Sequence, residues 1–332
     1  MYIRIPAKRG YVYRIPLLFV FLFLLSWGLF AFNRGNADYA NYYQVYELLG
    51  SGAKDQYLEI GFRLLMIICN KLHMPYELFL LIVASITHIL LFSSLEYLLE
   101  YKKNITIVWL SYVIYPYFFD IVQYRAFLGY VICFWGLRYL FGEKKHPVKY
   151  FIAVLVSTLF HTSMILYLAF ILVLLPTSKM KPIVVAGCAA ITFICVNTDL
   201  LRYIFGLVGL SKYARYDWTA YYSTFIQYFA VWIFFFVLIG RKYRWDFSNR
   251  YLKLTLVALL FVPFSLFGGT PARLFRNMFV FFYCGVFDRK TRSIWDIPAL
   301  LAVLFVAYMQ LWNGIHWLHV TLPIFTENAL WR

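Results

Sequence analysis

The stretch SYVIYPYFFD IVQYRAFLGY VICFWGLRYL, residues 111–140, decides how this chain folds. Two apolar segments, Ile105–Phe119 and Ala126–Phe141, flank a short polar stretch that contains Asp120 and Arg125. In a membrane, such a charge is costly unless it is paired or serves a function. The simplest interpretation is a polar turn whose arginine reaches the lipid headgroups. Because a guanidinium is always charged and matches phosphate or carboxylate with a planar fork, we favour a role for Arg125 in holding an anionic ligand group.

Composition places the whole chain in a membrane. Of its 332 residues, 63% are hydrophobic, 22% aromatic and 14% charged, and the mean hydropathy is +0.70. Soluble domains do not reach such values, and apolar runs of spanning length recur along the chain. The sequence therefore predicts an all-α polytopic integral membrane protein with a single membrane domain over residues 1–332. The five cysteines lie in apolar segments without metal-site spacing, so we expect packing residues, no metal and no other cofactor.

Membrane topology, rather than nucleic acid, explains the formal net charge of +16. We find no basic soluble module for nucleic acid, and lysine and arginine concentrate in the short inner loops of membrane proteins. The basic residues come in clusters, and one of these precedes the first apolar run, Leu17–Phe32. We predict an inner basic N-terminus over residues 1–16, an outer loop over 33–59, a helical bundle over 60–312 and an outer tail over 313–332.

The apolar runs predict about 10 to 12 membrane-spanning or re-entrant helices. Besides the hairpin around Arg125, the expected spans are Leu17–Phe32, Tyr76–Leu99, Ile183–Val196, Thr219–Gly240, Tyr251–Phe267, Leu274–Phe287 and Ile294–Trp312. Two further segments have unusual lengths. Glu59–Leu72 is short for a span, at about 21 Å as a helix, and Lys149–Leu175 is long, at about 40 Å. The long segment is either one tilted helix or two half-helices that meet at His161.

The charge distribution favours one of two topologies. If Glu59–Leu72 does not cross and Lys149–Leu175 enters and returns, the main basic clusters all face inside. If both segments cross, the clusters at Lys102 and Lys144 face outside, against the positive-inside rule. The favoured scheme leaves more arginine than lysine on the outer face, which is typical of bidentate anion recognition. In this scheme, His161 points toward the outer face from within the membrane. The outer face itself carries Arg34, Asp38, Glu59, Arg125, Arg273 and Arg276.

Two further features have both a structural and a functional interpretation. Tyr39, Tyr42 and Tyr43 follow Asp38 at helical spacing, as in an amphipathic helix at the membrane interface. Aromatic faces with nearby carboxylates also bind sugar rings, so scaffolding and binding both stay open. His161 is either a histidine hydrogen-bonded within a helical bundle or a general base.

Five short motifs occur in a fixed order along the chain. They are Arg-x3-Asp-Tyr-x2-Tyr-Tyr from Arg34 to Tyr43, Glu-x-Gly-Phe from Glu59 to Phe62, Arg-x-Phe-Leu from Arg125, Phe-His-x-Ser from Phe160 to Ser163 and Arg-x2-Arg from Arg273 to Arg276. Their order and spacing resemble those of the EpsG/Wzy-type polysaccharide polymerases. The resemblance covers Arg34 to Ser163 well and the C-terminal half loosely. It implies a multi-pass protein of the bacterial inner membrane whose N-terminus is cytoplasmic and whose site faces the periplasm, compatible with a GT-C-like architecture.

The resemblance also implies an activity and its partners. We expect a metal-independent glycosyltransferase that polymerises undecaprenyl-pyrophosphate-linked oligosaccharide repeats into O-antigen, capsule or exopolysaccharide. Donor and acceptor are both lipid-linked glycans, and the surroundings are membrane lipid. A chain-length regulator and a flippase of the same pathway are expected partners, and nucleic acid is not.

The implied roles sort the candidate residues into three groups. The pyrophosphate-binding group is Arg125, Arg273, Arg276 and Arg34. The candidates for the general base are His161, Glu59 and Asp38. The glycan-binding group is Tyr39, Tyr42, Tyr43 and Asp120.

Three other classes of membrane protein share part of this pattern. An O-antigen ligase would use the same outer arginines and the same substrate lipid. A flippase or other transporter would usually show internal repeats, and we find none in the sequence. A membrane acyltransferase would use His161 as base and acylate sugars instead.

Overall fold

The structure is a computed structural model that describes residues 2–6, 12–35, 38–52, 58–207, 218–267, 269–312 and 314–331. Helices make up most of it, which confirms the predicted all-α polytopic membrane class. Within the described residues, the helices long and apolar enough to cross a membrane are Tyr76–Leu98, Thr177–Val196, Tyr222–Lys242 and Arg250–Phe267.

The chain divides into two compact units, here called unit 1 and unit 2. Unit 1 comprises Met1–Leu168 and Phe287–Arg332, and unit 2 comprises Ala169–Val286. The single membrane domain expected over residues 1–332 stays a prediction.

Unit 1 begins with a β-hairpin and continues as helices. Its elements are β1 (Tyr2–Pro6), β2 (Val12–Pro16), α1 (Leu17–Ala31), α2 (Tyr39–Gly50), α3 (Ile60–Lys71), α4 (Tyr76–Leu98), a short 3-10 turn (Lys102–Asn104), α5 (Ile105–Ile114), α6 (Tyr117–Val122), α7 (Tyr124–Gly136), α8 (Arg138–Phe141), α9 (Pro147–Thr158) and a 3-10 helix (Thr162–Leu174) that continues into unit 2. After unit 2 the chain returns as α16 (Asp296–Gln310), α17 (Gly314–His316), a π turn (Trp317–Thr321) and α18 (Leu322–Thr326).

The β-hairpin was not predicted by the charge pattern of residues 1–16. β1 and β2 pair antiparallel, with Ile3 opposite Ile15. Both strands combine β-branched and aromatic residues, which favour extended backbone, and both end in proline, which cannot continue a ladder. Pro16 then stands directly before α1.

The interior of unit 1 is built from aromatic rings on α1, α4 and α5. Phe23 and Trp109 lie 5.2 Å apart between ring centroids, and the Trp109 indole donates to the Ser26 hydroxyl at 3.1 Å. The C-terminal tail packs back onto the end of α1. There the side-chain amide of Asn328 donates to the carbonyl of Leu29 at 2.9 Å, and the backbone N–H of Ala329 donates to the carbonyl of Phe32.

The hairpin around Arg125 is broken at a different place from the one predicted. The apolar segment Ile105–Phe119 was expected to continue to the polar residues, but α5 ends at Ile114 and α6 carries Asp120. Pro116 explains the break, because proline lacks a backbone N–H and disfavours helical backbone at the residue before it.

The long apolar segment Lys149–Leu175 folds back on itself. α9 ends at Thr158, and the 3-10 helix begins at Thr162. The Tyr150 hydroxyl donates to the carbonyl of Tyr167, 17 residues later, at 2.7 Å. Those residues would lie about 25 Å apart in a continuous helix, so the chain reverses at the turn around His161. The reversal agrees with the re-entrant alternative and excludes one tilted helix.

Unit 2 is also helical. Its elements after the 3-10 helix are α10 (Thr177–Val196), α11 (Thr198–Leu207), α12 (Tyr222–Lys242), α13 (Arg250–Ala258), a 3-10 helix (Leu259–Phe267), α14 (Gly269–Arg276) and α15 (Phe279–Phe287). The Trp232 indole of α12 donates to the carbonyl of Thr255 at 2.8 Å, which joins α12 to α13.

The span predicted as Leu274–Phe287 is divided between two helices, α14 and α15. The polar pair Arg276 and Asn277 interrupts the apolar run between them.

Candidate functional site

Arg125 and Glu59 form an ion pair in unit 1. Nη1 of Arg125, in the first turn of α7, lies 2.5 Å from Oε2 of Glu59. The side chains are 18% and 9% exposed, so the pair is largely withdrawn from water. Glu59 stands directly before α3, where the helix dipole favours a carboxylate. Two residues predicted from separate motifs are thus brought together.

The second carboxylate oxygen of Glu59 is held by Thr162. Oε1 accepts hydrogen bonds from the Thr162 backbone N–H at 3.3 Å and from the Thr162 hydroxyl at 3.2 Å. Glu59 therefore links Arg125 on α7 to the turn that carries His161. Thr162 was missed in the sequence analysis, although it lies inside the Phe-His-x-Ser motif.

Glycine at position 61 allows α3 to reach this turn. The Gly61 N–H donates to the carbonyl of Leu159 at 2.8 Å. A Cβ at Gly61 would lie 2.8 Å from that same carbonyl oxygen, which is closer than side chains are found. The close approach places Glu59, two residues earlier, beside the turn.

α7 approaches the turn with a face of small residues. A Cβ at Gly129 would lie 2.9 Å from Cγ of Met164, and one at Gly136 would lie 2.8 Å from Cβ of Ala153. Between them, Cys133 Sγ lies 2.9 Å from the Ser157 hydroxyl. Small residues at helical spacing let membrane helices pack closely, and this signal was readable in the sequence of α7.

His161 is buried on the turn and is oriented by Ser163. The Ser163 hydroxyl lies 2.8 Å from Nδ1 of His161, and the Ser163 backbone N–H donates to Nδ1 at 3.4 Å. Because a backbone N–H can only donate, Nδ1 is an acceptor, and the neutral ring then carries its proton on Nε2. His161 is 5% exposed. The ring is thus presented in one tautomer.

The tyrosines of α2 pack beside the start of α7. The rings of Tyr42 and Tyr124 lie 4.5 Å apart between centroids, and Tyr124 precedes Arg125. Tyr39 and Tyr43 stack on each other and both contact Tyr76 edge-on, at 5.2 and 5.5 Å. Tyr43 is 41% exposed. The tyrosine face predicted for α2 therefore adjoins the helix that carries the arginine.

Arg34 and Tyr39 line a groove at the end of α1. The groove has a volume of about 250 Å³, with Glu77 and apolar residues of α4 on its other wall. Arg34 Nη2 lies 3.9 Å from Oε1 of Glu77, and both side chains are about half exposed. Asp38 stands directly before α2.

The structure also describes three other predicted residues, one in unit 1 and two in unit 2. Asp120 is 6% exposed and accepts a hydrogen bond from the Tyr112 hydroxyl at 2.9 Å. In unit 2, Arg273 and Arg276 are 8% and 3% exposed on α14. Their roles in binding stay predictions. No group of three or more potential metal ligands occurs in the part of the chain that the structure describes.

The chain matches the EpsG family over residues 16–320. This range includes every candidate residue named above. No curated protein and no solved structure matches the chain.

Proposed function

Because the chain belongs to the EpsG family of Wzy-like polysaccharide polymerases, we propose that it polymerises undecaprenyl-pyrophosphate-linked oligosaccharide repeats. The observation that supports this most directly is the Arg125–Glu59–Thr162 cluster beside His161. It links the guanidinium of Arg125 on α7, through Glu59, to the short turn that carries the imidazole ring of His161. Such a combination suits the transfer of a group from a phosphate leaving group.

The proposed reaction is a displacement at the first sugar of the growing chain. A hydroxyl of the incoming lipid-linked repeat attacks C1 and forms a new C1–O bond. The bond between C1 and the pyrophosphate breaks, and its electron pair leaves with the pyrophosphate. Pyrophosphate is already a good leaving group, so orientation and charge stabilisation are the main tasks of the protein, and the proposed transfer is metal-independent.

Arg125 is the proposed clamp for the departing pyrophosphate. Its guanidinium presents its donors in a planar fork, and that shape matches two phosphate oxygens. Arg34, Arg273 and Arg276 are proposed as further contacts to lipid-linked phosphate. Tyr39, Tyr42, Tyr43 and Asp120 are proposed as contacts to the glycan.

The proton of the attacking hydroxyl needs an acceptor, and His161 is our first candidate. With Nδ1 as the accepting atom, the proton passes through the Ser163 hydroxyl, which takes it up and gives its own to the ring. Glu59 and Asp38 are the remaining candidates. Of these, Glu59 already accepts hydrogen bonds on both carboxylate oxygens.

We further propose the bacterial inner membrane as the location, with a cytoplasmic N-terminus and the cluster open to the periplasm. The proposed partners are the lipid-linked donor and acceptor, membrane lipid, and the chain-length regulator and flippase of the same pathway. This orientation rests on the charge clusters and the positive-inside rule.

The test is deletion of the gene followed by electrophoresis of the surface glycan. A polymerase deletion leaves single-repeat caps, and a plasmid copy of the gene restores long chains. Bare core would instead identify a ligase. Repeats trapped on the cytoplasmic leaflet would identify a flippase, and full-length chains that lack acyl groups would identify an acyltransferase.

A further inference from the structure

Thr162 makes two hydrogen bonds to a single carboxylate oxygen. Its N–H and hydroxyl both donate to Oε1 of Glu59, while the other oxygen, Oε2, holds Nη1 of Arg125. The two carboxylate oxygens of Glu59 thus contact different partners: Oε1 contacts Thr162 on the turn, and Oε2 contacts Arg125 on α7. A carboxylate held in this way cannot rotate without losing contacts on both sides.

We infer that Thr162 and Glu59 are positioning residues that fix the guanidinium of Arg125 for the leaving group. This inference rests on the proposed function and adds a residue to it. Arginine side chains have long flexible stems, and ordering one costs rotamer entropy. Because the turn anchors Glu59 and Glu59 holds Arg125, this entropy is lost when the protein folds and not when substrate binds. On this assignment Glu59 holds Arg125 and leaves proton transfer to another group.

The arrangement also couples the clamp to His161. Thr162 lies between His161 and Ser163 in sequence, so the same turn orients the ring and anchors Glu59. Any shift of the turn moves both groups together. Leaving-group stabilisation and proton transfer are therefore both set by one short segment, which reaches the arginine through the two hydrogen bonds from Thr162 to Glu59.

The hydroxyl is tested with a matched pair of variants. Thr162→Val keeps the shape and the backbone N–H but removes the hydroxyl, whereas Thr162→Ser keeps the hydroxyl. We expect kcat to fall about three- to tenfold in Thr162→Val, as for the loss of one hydrogen bond. KM should change little, and Thr162→Ser should be close to wild type. The assay is turnover of lipid-linked single repeats, extracted from the deletion strain, by the full-length protein in detergent.

A double mutant separates positioning from a merely structural role. In Glu59→Gln the neutral amide no longer ion-pairs with Arg125, so Thr162→Val should change kcat less than twofold in that background. Equal losses in the wild-type and Glu59→Gln backgrounds would overturn the inference. So would equal activity of the Val and Ser variants at matched melting temperature. If the wild-type protein itself fails to elongate the repeats, the proposed function is wrong instead.

Discussion

At the scale of single residues, the charge of Arg125 is the feature that most needs an explanation. The Arg125 side chain is largely buried, and its positive charge is compensated by Glu59, 66 residues away in sequence. Removing one partner of such a pair leaves an uncompensated charge, which destabilises proteins. Glu59 and Arg125 could each be predicted from their motifs, but their pairing could not. No periodicity connects residues so far apart, and Thr162, which completes the contact, is an ordinary polar residue in an apolar run.

Arg125→Lys distinguishes a clamp from a charge that only balances Glu59. Lysine keeps the charge but loses the planar fork. Charged hydrogen bonds of this kind contribute about 1.5–3 kcal/mol, so we expect a rate roughly ten- to a hundredfold lower. Arg125→Ala should abolish activity while the protein remains in the membrane. The measurement is glycan chain length and turnover of lipid-linked repeats at equal protein levels. A fully active lysine variant would refute the clamp.

His161→Gln tests the role of the ring as proton acceptor. The glutamine amide has no basic nitrogen, so we expect activity to fall by about two to four orders of magnitude, the usual contribution of a general base. Ser163→Ala is the companion variant and should show a smaller loss, because water can take the place of a hydroxyl. If the His161→Gln variant still makes glycan of near-normal chain length, the ring of His161 serves only as a hydrogen-bond donor through Nε2. Asp38 would then become the candidate base.

At the scale of elements, continuous apolar runs were predicted well and interrupted ones were not. The span expected at Tyr76–Leu99 is α4, Tyr76–Leu98. The reversal at His161 was foreseen as one alternative, because a largely apolar segment of 27 residues is longer than a bilayer needs. The breaks at Pro116 and Asn277 were missed, since hydropathy averages over single residues. The β-hairpin formed by β1 and β2 was missed as well, because the charge pattern of residues 1–16 indicates membrane topology and not backbone conformation.

Gly61→Ala tests whether the close approach of α3 to the turn matters for function. A Cβ there meets the backbone of Leu159, so α3 must move away and carry Glu59 with it. We expect a loss of about 1–3 kcal/mol in stability, typical of overpacking, together with reduced polymerisation. Gly206→Ala is the matched control, because nothing lies within 4 Å of its Cβ position. Equal activity of the two variants would show that the turn tolerates displacement of α3.

At the scale of the whole molecule, charge and helix length together determine the predicted topology. The 12-residue helix α3 is about 18 Å long, too short to cross the hydrocarbon core alone. The chain reverses between α9 and the following 3-10 helix, so in the predicted topology this hairpin returns to the side from which it entered. Neither segment then changes the side of the chain. We therefore predict that Lys102 and Lys144 lie on the same side as the N-terminus and that α2 lies on the opposite side.

Cysteine labelling tests this topology in intact cells. On a background without native cysteines, Lys102→Cys and Lys144→Cys should resist a membrane-impermeant maleimide, because we place both on the cytoplasmic side. Ser51→Cys, at the exposed end of α2, should react, because we place it in the periplasm. Permeabilised cells provide the control, since all three positions should then be labelled if the protein is folded and present. Labelling of both lysine positions in intact cells would mean that α3 crosses the membrane and does not behave as a re-entrant segment. The Arg125–Glu59 pair would then need a different route to the lipid-linked substrate, because the parity of the spans decides on which side of the membrane the pair opens.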